Sequence, residues 1–436
     1  MTPSPASPPS AGAPPPGSAP LLPTARAGAI PPAPVEKVPA RTEAAPRKVR
    51  FSAPNARNGE AYRASVEGQD EQGQAVLITA AQLPQRLGLD FDPATGVLRG
   101  TPREAGEHPV ILSWQDEVGR THEGAFTLIV NANPRDLWKE VEPDPQSLYV
   151  KPHTDARCVD ASGRRLLAAS RRGRSHAHTG SFRDDDFFIA HDTASTWSVL
   201  IVTDGAGSAQ HARHGAALAA HRTGNALVDA LAGDGGRALE TLIAQWRVDP
   251  PQGDKPLKDR LYRLFGEAAW AALDAIETEA LQRGAEVRDY ATTLLCAVQR
   301  STPIGVFVAS FWVGDGAICA CGPAGRVHLM GQPDSGEFAG QTRFLDRAVL
   351  GDAEAVWKRI AFTEQPEVRA LLLVTDGISD PFFETDQALA DPTAWAQLWE
   401  ELVPALAAEH PEQAVLGWMN FFKPGHHDDR TLAMWW

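Results

Sequence analysis

Three apolar runs in this chain end the same way: WSVLIVTDG on Asp204, FWVGDG on Asp315 and LLLVTDG on Asp376. Runs such as VLIV and LLLV, dense in β-branched residues and leucine, read as strands buried on both faces. The glycine after each aspartate permits a sharp exit from the strand. One such unit is an ordinary turn signal. Here they are joined by Asp184, Asp185 and Asp186 ahead of FFIA, and by Asp428 and Asp429 ahead of RTLAMW. Charge that merely solvates a surface would not follow buried-type runs. Carboxylates fixed at the ends of core strands repel one another, and like charges in one pocket of low dielectric take up protons or find a cation. A hard divalent ion with oxygen ligands satisfies that demand.

The composition narrows the alternatives. The chain has 436 residues, 43% hydrophobic and 22% charged, enough for two or three domains with at least one sizeable core. A net charge of −14 argues against nucleic acid or an anionic membrane surface as the main partner, since both need a basic footprint. Four cysteines (Cys158, Cys296, Cys319, Cys321) are too few and too unevenly spaced for a disulfide framework. Cys319 and Cys321 read as two thiols on one strand face rather than as half of a zinc site. The N-terminus lacks a basic and then apolar leader. No run approaches the roughly 18 apolar residues of a membrane span. The expectation is a cytoplasmic protein.

Texture changes divide the chain. Residues 1–46, rich in Pro, Ala and Ser, read as a disordered arm, because they cannot bury enough apolar surface to offset ordering entropy. Residues 47–132 alternate short β-type runs with turn signals and read as a small β-sandwich. Residues 133–155, rich in Pro and Asp, read as a linker, and residues 156–436 as a mixed helix and strand domain. Strands are predicted at Trp197–Thr203, Thr293–Gln299, Val306–Val313, Ala370–Thr375 and Thr431–Trp435. Helices are predicted at His211–Leu231, at Leu257–Arg283 and from Asp386 to about Ala408, the last split by Pro392 and ending near Pro404.

Two resemblances follow from these residues. The stretch GLDFDPATGVLRGTPREAGEHPVILSWQDEVGRTHEGAFTLIV resembles the immunoglobulin-like module of many bacterial multidomain proteins, which acts as a spacer or binding surface. The set RDDDFFIA, VLIVTDGAGSA, DYATTLL, FWVGDG, PDSGEFAGQTRFL, LLLVTDGISD and HDDRTLA resembles, in family order from about Gly173 onward, the bacterial branch of the metal-dependent protein phosphatases of type 2C. That resemblance implies an α+β fold, a β-sandwich flanked by helices with metals in a cleft at one end. It also implies a phosphoserine or phosphothreonine phosphatase with two Mg²⁺ or Mn²⁺ ions bridged by the attacking water.

Carried over by position, the resemblance assigns Asp186 to the first-motif aspartate and Asp185 to the acidic or amide residue before it. Asp204 becomes the bridging ligand, Gly205 a carbonyl ligand, and Asp376 and Asp428 the remaining core ligands. Asp315, with Asp376, could hold a weaker third ion, and Thr292 and Thr293 pack behind the site. Where the family carries a phosphate-binding arginine ahead of the first motif, Ser181 stands, so Arg183 or Arg174 is the substitute. Ala206 replaces the histidine that follows Asp-Gly in some relatives, leaving His176 and His211 as candidate acids. His426 and His427 read as flanking the site rather than as ligands. Ser208 lacks the strand–elbow context of a nucleophile and reads as a helix N-cap. The implied partners are phosphorylated proteins, a Ser/Thr kinase or its substrates, with the N-terminal module recruiting one of them. A catalytically silent phosphoprotein-binding adaptor of the same fold is the alternative.

Overall fold

The computed structural model describes residues 48–331, 333–334, 342–383, 385 and 387–436. The Pro/Ala-rich arm and most of PDSGEFAGQTRFL lie outside the described residues. The first described region is all β: β1 (Val49–Ser52), β2 (Ala56–Arg57), β3 (Tyr62–Ser65), β4 (Glu67–Asp70), β5 (Leu77–Gln82), β6 (Leu89–Asp92), β7 (Val97–Gly100), β8 (Gly106–Gln115) and β9 (Thr121–Asn131). They form sheets ordered β1-β4, β2-β9-β8-β5 and β3-β7-β6 around Leu87, Leu98, Val110, Leu112, Trp114 and Leu128.

The rest is a four-layer body. One antiparallel sheet is ordered β10 (Thr154–Ala161), β11 (Arg164–Arg171), β20 (Arg430–Trp435), β19 (Ala370–Val374), β16 (Ala317–Cys321) and β17 (Val327–Leu329). The other is ordered β12 (Asp186–His191), β13 (Trp197–Thr203), β14 (Leu294–Thr302), β15 (Gly305–Val313) and β18 (Ile360–Gln365). The helices are α1 (Arg174–Thr179), α2 (Ala212–Leu231), α3 (Gly233–Val248), α4 (Pro250–Arg283), α5 (Arg347–Gly351), α6 (Ala353–Lys358), α7 (Asp376–Phe382), α8 (Pro392–Leu406) and α9 (Pro411–Trp418).

The two-residue period of each strand feeds two cores at once. Along β13, Leu200 and Val202 face the opposing sheet with Leu295, Leu371, Leu373 and Trp435. Val199 and Ile201 face Leu227, Leu261, Phe265 and Ala272 of the helix layer. On the far side, Leu372, Val374 and Met434 pack on Trp395, Leu402 and Val415. This double burial explains why the runs are apolar without alternation.

The predicted helices correspond to α2, α4 and α8, with α4 beginning at Pro250 rather than Leu257, while α1, α5, α6, α7 and α9 lie outside the predicted set. The predicted break at Pro392 is present: a 3-10 turn at Ala388–Ala390 stops, and α8 opens on Pro392, since a first-turn proline needs no N–H partner and Asp391 caps the turn by accepting from the Thr393 N–H at 2.8 Å. Helix α3, ahead of α4, was not foreseen either: its GDGG opening hides a helix. Cys319 and Cys321 lie in β16 with sulfurs 3.6 Å apart, two thiols as expected.

Candidate metal centre and active site

The strand parity that builds the sandwich also aims the carboxylates. Asp185 continues the face of Phe187 and Ile189, toward the opposing sheet, while Asp186 shares the helix-side face with Phe188. At the end of the sandwich Asp185 accepts from the Thr375 hydroxyl at 2.8 Å. That hydroxyl also accepts from the Thr431 N–H at 3.1 Å, and Thr431 bonds Ser170 at 2.6 Å, so β11, β19 and β20 converge on one carboxylate.

Asp204, just past β13, is fixed through its backbone. Its N–H donates to the Thr293 hydroxyl at 2.8 Å, and its carbonyl accepts from the Thr292 hydroxyl at 2.9 Å and the Thr293 N–H at 2.8 Å. Gly205 bridges to Thr292 beside it. Asp315 follows β15 and accepts from the Thr342 hydroxyl. Asp376 opens α7, and the glycine after it is obligatory, because a Cβ on Gly377 would sit 1.7 Å from the Asp429 carbonyl oxygen. Gly173 is as constrained, its Cβ position lying 2.3 Å from the Asp428 carbonyl carbon.

The outcome is a knot of like charge. Carboxylate oxygens of Asp204, Asp315 and Asp376 lie within 4.8 Å of one another. Burial, then Asp185, Asp376 and Asp428, pushes the Asp204 carboxyl well above its ordinary range. Burial, then Asp428, Asp315 and Asp185, does the same to Asp376. Asp185 is pushed up to about 7 by burial and by Asp429. Asp428 keeps an exposed side, yet the partial loss of water around its carboxyl, and then Asp429, raise it. Among the described residues, none of Asp185, Asp204, Asp315 and Asp376 has a salt-bridge partner. An oxygen-only, anionic, convergent donor set fits a hard divalent cation.

Two of the assigned residues stand apart from this knot. Asp186 is not part of it: its carboxylate pairs with the Lys151 ammonium at 2.8 Å and accepts from the Phe187 N–H at 2.8 Å. Burial would raise the Asp186 carboxyl, but Lys151 and Arg183 outweigh it and hold it below its usual range. The first-motif carboxylate in the cluster is therefore Asp185, one position earlier than the motif assignment. Arg183 cannot reach a phosphate, being 1% exposed with its guanidinium donating to the Asp185 carbonyl at 3.0 Å. Arg174 is committed to the carbonyls of Phe421 and Asn420, each at 2.9 Å. Ser208 is exposed, and the α2 cap position is His211, without a side-chain cap bond.

Two features were missed. Lys151 lies in the stretch read as linker. Asp429, read only as the second residue of a motif, accepts from His176 Nδ1 at 2.9 Å, from the Gly173 N–H at 2.6 Å and from the Asp184 N–H at 2.5 Å. Burial, the largest single influence, would lower the His176 imidazolium, but the Asp429 bond together with the charges of Asp429, Asp184 and Asp428 outweighs it and carries it to about 9. Burial would likewise raise Asp429, and His176 holds it down. Only contact across the sheet shows that Asp429 already has a cation.

An antiparallel sandwich between helix layers, with bare carboxylates converging at its end, is the build of a metal-dependent hydrolase. The family profile of protein phosphatase 2C matches residues 172–420, more than half of the chain, and the chain belongs to that family: it is a protein-serine/threonine phosphatase. Solved structures that it resembles include a Caenorhabditis elegans sex-determining protein (14% identity, TM-score 0.39, 66% of this chain and 65% of that one). Others are serine-threonine phosphatase 2C from Toxoplasma gondii (14%, 0.41, 66% and 99%) and the serine/threonine phosphatase Stp1 from Staphylococcus aureus (12%, 0.33, 67% and 98%). No curated protein sequence matches significantly.

Proposed function

We propose that the chain hydrolyses phosphoserine and phosphothreonine of proteins at this carboxylate cluster. Two Mg²⁺ or Mn²⁺ ions would be held by Asp185, Asp204, the Gly205 carbonyl, Asp376 and Asp428, with a weaker third at Asp315 and Asp376. Bound there, the ions would supply activation of water and neutralisation of the phosphoester's charge. The supporting observation is that carboxylates from four separate stretches of chain, those of Asp185, Asp204, Asp315 and Asp376, meet without a cationic side chain among the described residues to pair them. Thr292 and Thr293 keep the Asp204 peptide from turning, and Thr375 fixes the Asp185 carboxylate. His176 and Asp429 brace the peptide of Asp184. Asp428 is exposed and marks the side from which a phosphoester enters.

The substrates would be phosphorylated proteins, a Ser/Thr kinase or its targets, in cytoplasmic signalling. Residues 47–132 would form an immunoglobulin-like domain that recruits a partner, and residues 156–436 the phosphatase domain. No helix among the described residues is long and apolar enough to cross a membrane. The test is hydrolysis of a phosphothreonine peptide with Mn²⁺, with EDTA, and by Asp204→Ala. Turnover that survives EDTA or the substitution refutes the assignment. A second reading, the adaptor, is favoured by one observation: Arg183 is sealed and Arg174 is committed to carbonyls. Tight phosphopeptide binding without turnover by the wild-type chain would select it.

A further inference from the structure

Residues 138–153, ahead of β10 and outside the stretch that the family profile matches, are held against the elements that carry the carboxylates. The Trp138 ring lies 4.1 Å from that of His427, next to Asp428. The Val141 N–H donates to the Ala177 carbonyl of α1 at 2.8 Å. Tyr149 stacks on His214 of α2 at 3.9 Å, and its hydroxyl donates to Glu279 at 2.8 Å. The segment then delivers Lys151, 11% exposed, between two consecutive aspartates. Its ammonium donates to the Asp185 carbonyl at 2.6 Å, pairs with the Asp186 carboxylate at 2.8 Å and reaches the Arg213 carbonyl at 3.4 Å.

We infer that Lys151 is a positioning residue of the metal centre, fixing the peptide between Asp185 and Asp186 so that only Asp185 is presented to the cluster. The inference rests on the reading of Asp185 as a metal ligand. Apolar packing alone specifies this poorly. Phe187 and Ile189 are buried on one face of β12 and Phe188 packs on the other, so the pattern opposes a one-residue slip only weakly. Asp185 and Asp186 are chemically identical neighbours. A cation on the helix-side face breaks the tie, because it attracts one carboxylate and grips the carbonyl that precedes it. Residues that orient a ligand in this way are outer-shell supports, whose loss costs about 10- to 100-fold in metal affinity or activity.

The experiment uses the full chain and Mn²⁺ alone, titrated by calorimetry, beside thermal unfolding and peptide turnover at saturating Mn²⁺. Lys151→Met should weaken Mn²⁺ binding by about 10- to 100-fold and leave the KM for peptide near the wild-type value once Mn²⁺ saturates. Because this variant also strands Asp186, the double variant Lys151→Met/Asp186→Asn separates the roles. It should recover thermal stability without recovering Mn²⁺ affinity, since the Asp185 carbonyl has lost its shorter donor, the Lys151 ammonium at 2.6 Å, and keeps only the Arg183 guanidinium at 3.0 Å. Wild-type Mn²⁺ affinity in Lys151→Met, or its return in the double variant, overturns the inference and leaves Lys151 as a counter-charge only. Asp185→Asn separates the two levels. If that variant binds Mn²⁺ like wild type, the ligand assignment falls and the inference with it. If it loses Mn²⁺ while Lys151→Met does not, only the inference falls.

Discussion

Two groups of buried aspartates lie within a few residues of each other and are treated in opposite ways. Asp186 and Asp429 each have a cation built into the fold, Lys151 and His176, and burial is overridden so that both stay ionised. Asp185, Asp204 and Asp376 have none among the described residues, and burial together with repulsion from neighbouring aspartates drives all three upward. Where the chain needs a permanent brace it supplies the counter-charge itself. Where it leaves carboxylates bare, the counter-charge has to arrive from outside, as protons or as metal. Motif spacing does not separate the groups, since DDD holds one member of each.

The largest expected effect breaks the bare group. Asp204→Asn should lower kcat/KM for a phosphothreonine peptide by about 1000-fold or more, roughly 4 kcal/mol of transition-state stabilisation. A loss under tenfold in steady-state assays would place the chemistry elsewhere. Next comes the neighbour comparison. Asp185→Asn should abolish tight Mn²⁺ binding in calorimetry while the fold stays near wild-type stability. Asp186→Asn should retain Mn²⁺ binding to within a few-fold and instead cost about 3 kcal/mol in urea unfolding, because it leaves Lys151 buried without its partner. Reversed results would restore Asp186 as the ligand.

A third effect concerns pH. A carboxyl whose folded pKa is raised contributes stability that is present below the unfolded value near ~4 and is lost as pH rises through the folded value. That value is about 6 for Asp184, raised chiefly by burial, and about 7 for Asp185. His176, at about 9, acts in the same direction, its contribution being lost above the unfolded value near ~6.5. Asp186 and Asp429, held low, are ionised in both states above about pH 4 and add no slope there. Metal-free protein in EDTA should therefore lose thermal stability steadily from about pH 5 to 8, and saturating Mn²⁺ should remove the part of that slope due to the cluster. A flat or rising metal-free profile contradicts the comparison. The smallest effect is Ser208→Ala, which should leave turnover and stability within about 0.5 kcal/mol because its side chain is exposed.

Much of this was legible in the sequence. The strand Trp197–Thr203 matches residue for residue, and Asp204, Asp376 and Asp428 could be placed at strand ends before any coordinates. The choice between Asp185 and Asp186 was not legible. FFIA is apolar toward both cores, so it carries no inside–outside alternation from which to count faces. Lys151 was equally hidden: one lysine in a Pro- and Asp-rich stretch has no local pattern, and its partners lie at positions 185, 186 and 213. The His176–Asp429 pair is invisible for the same reason, joining residues 253 apart.

The most direct test of the comparison is anomalous diffraction from crystals of the full chain grown with Mn²⁺. Manganese should be found among the carboxylates of Asp185, Asp204 and Asp376 and the Gly205 carbonyl, with Asp186 still on Lys151 and Asp429 on His176. Manganese bound by Asp186, or no manganese at the bare carboxylates under conditions that support turnover, would contradict it.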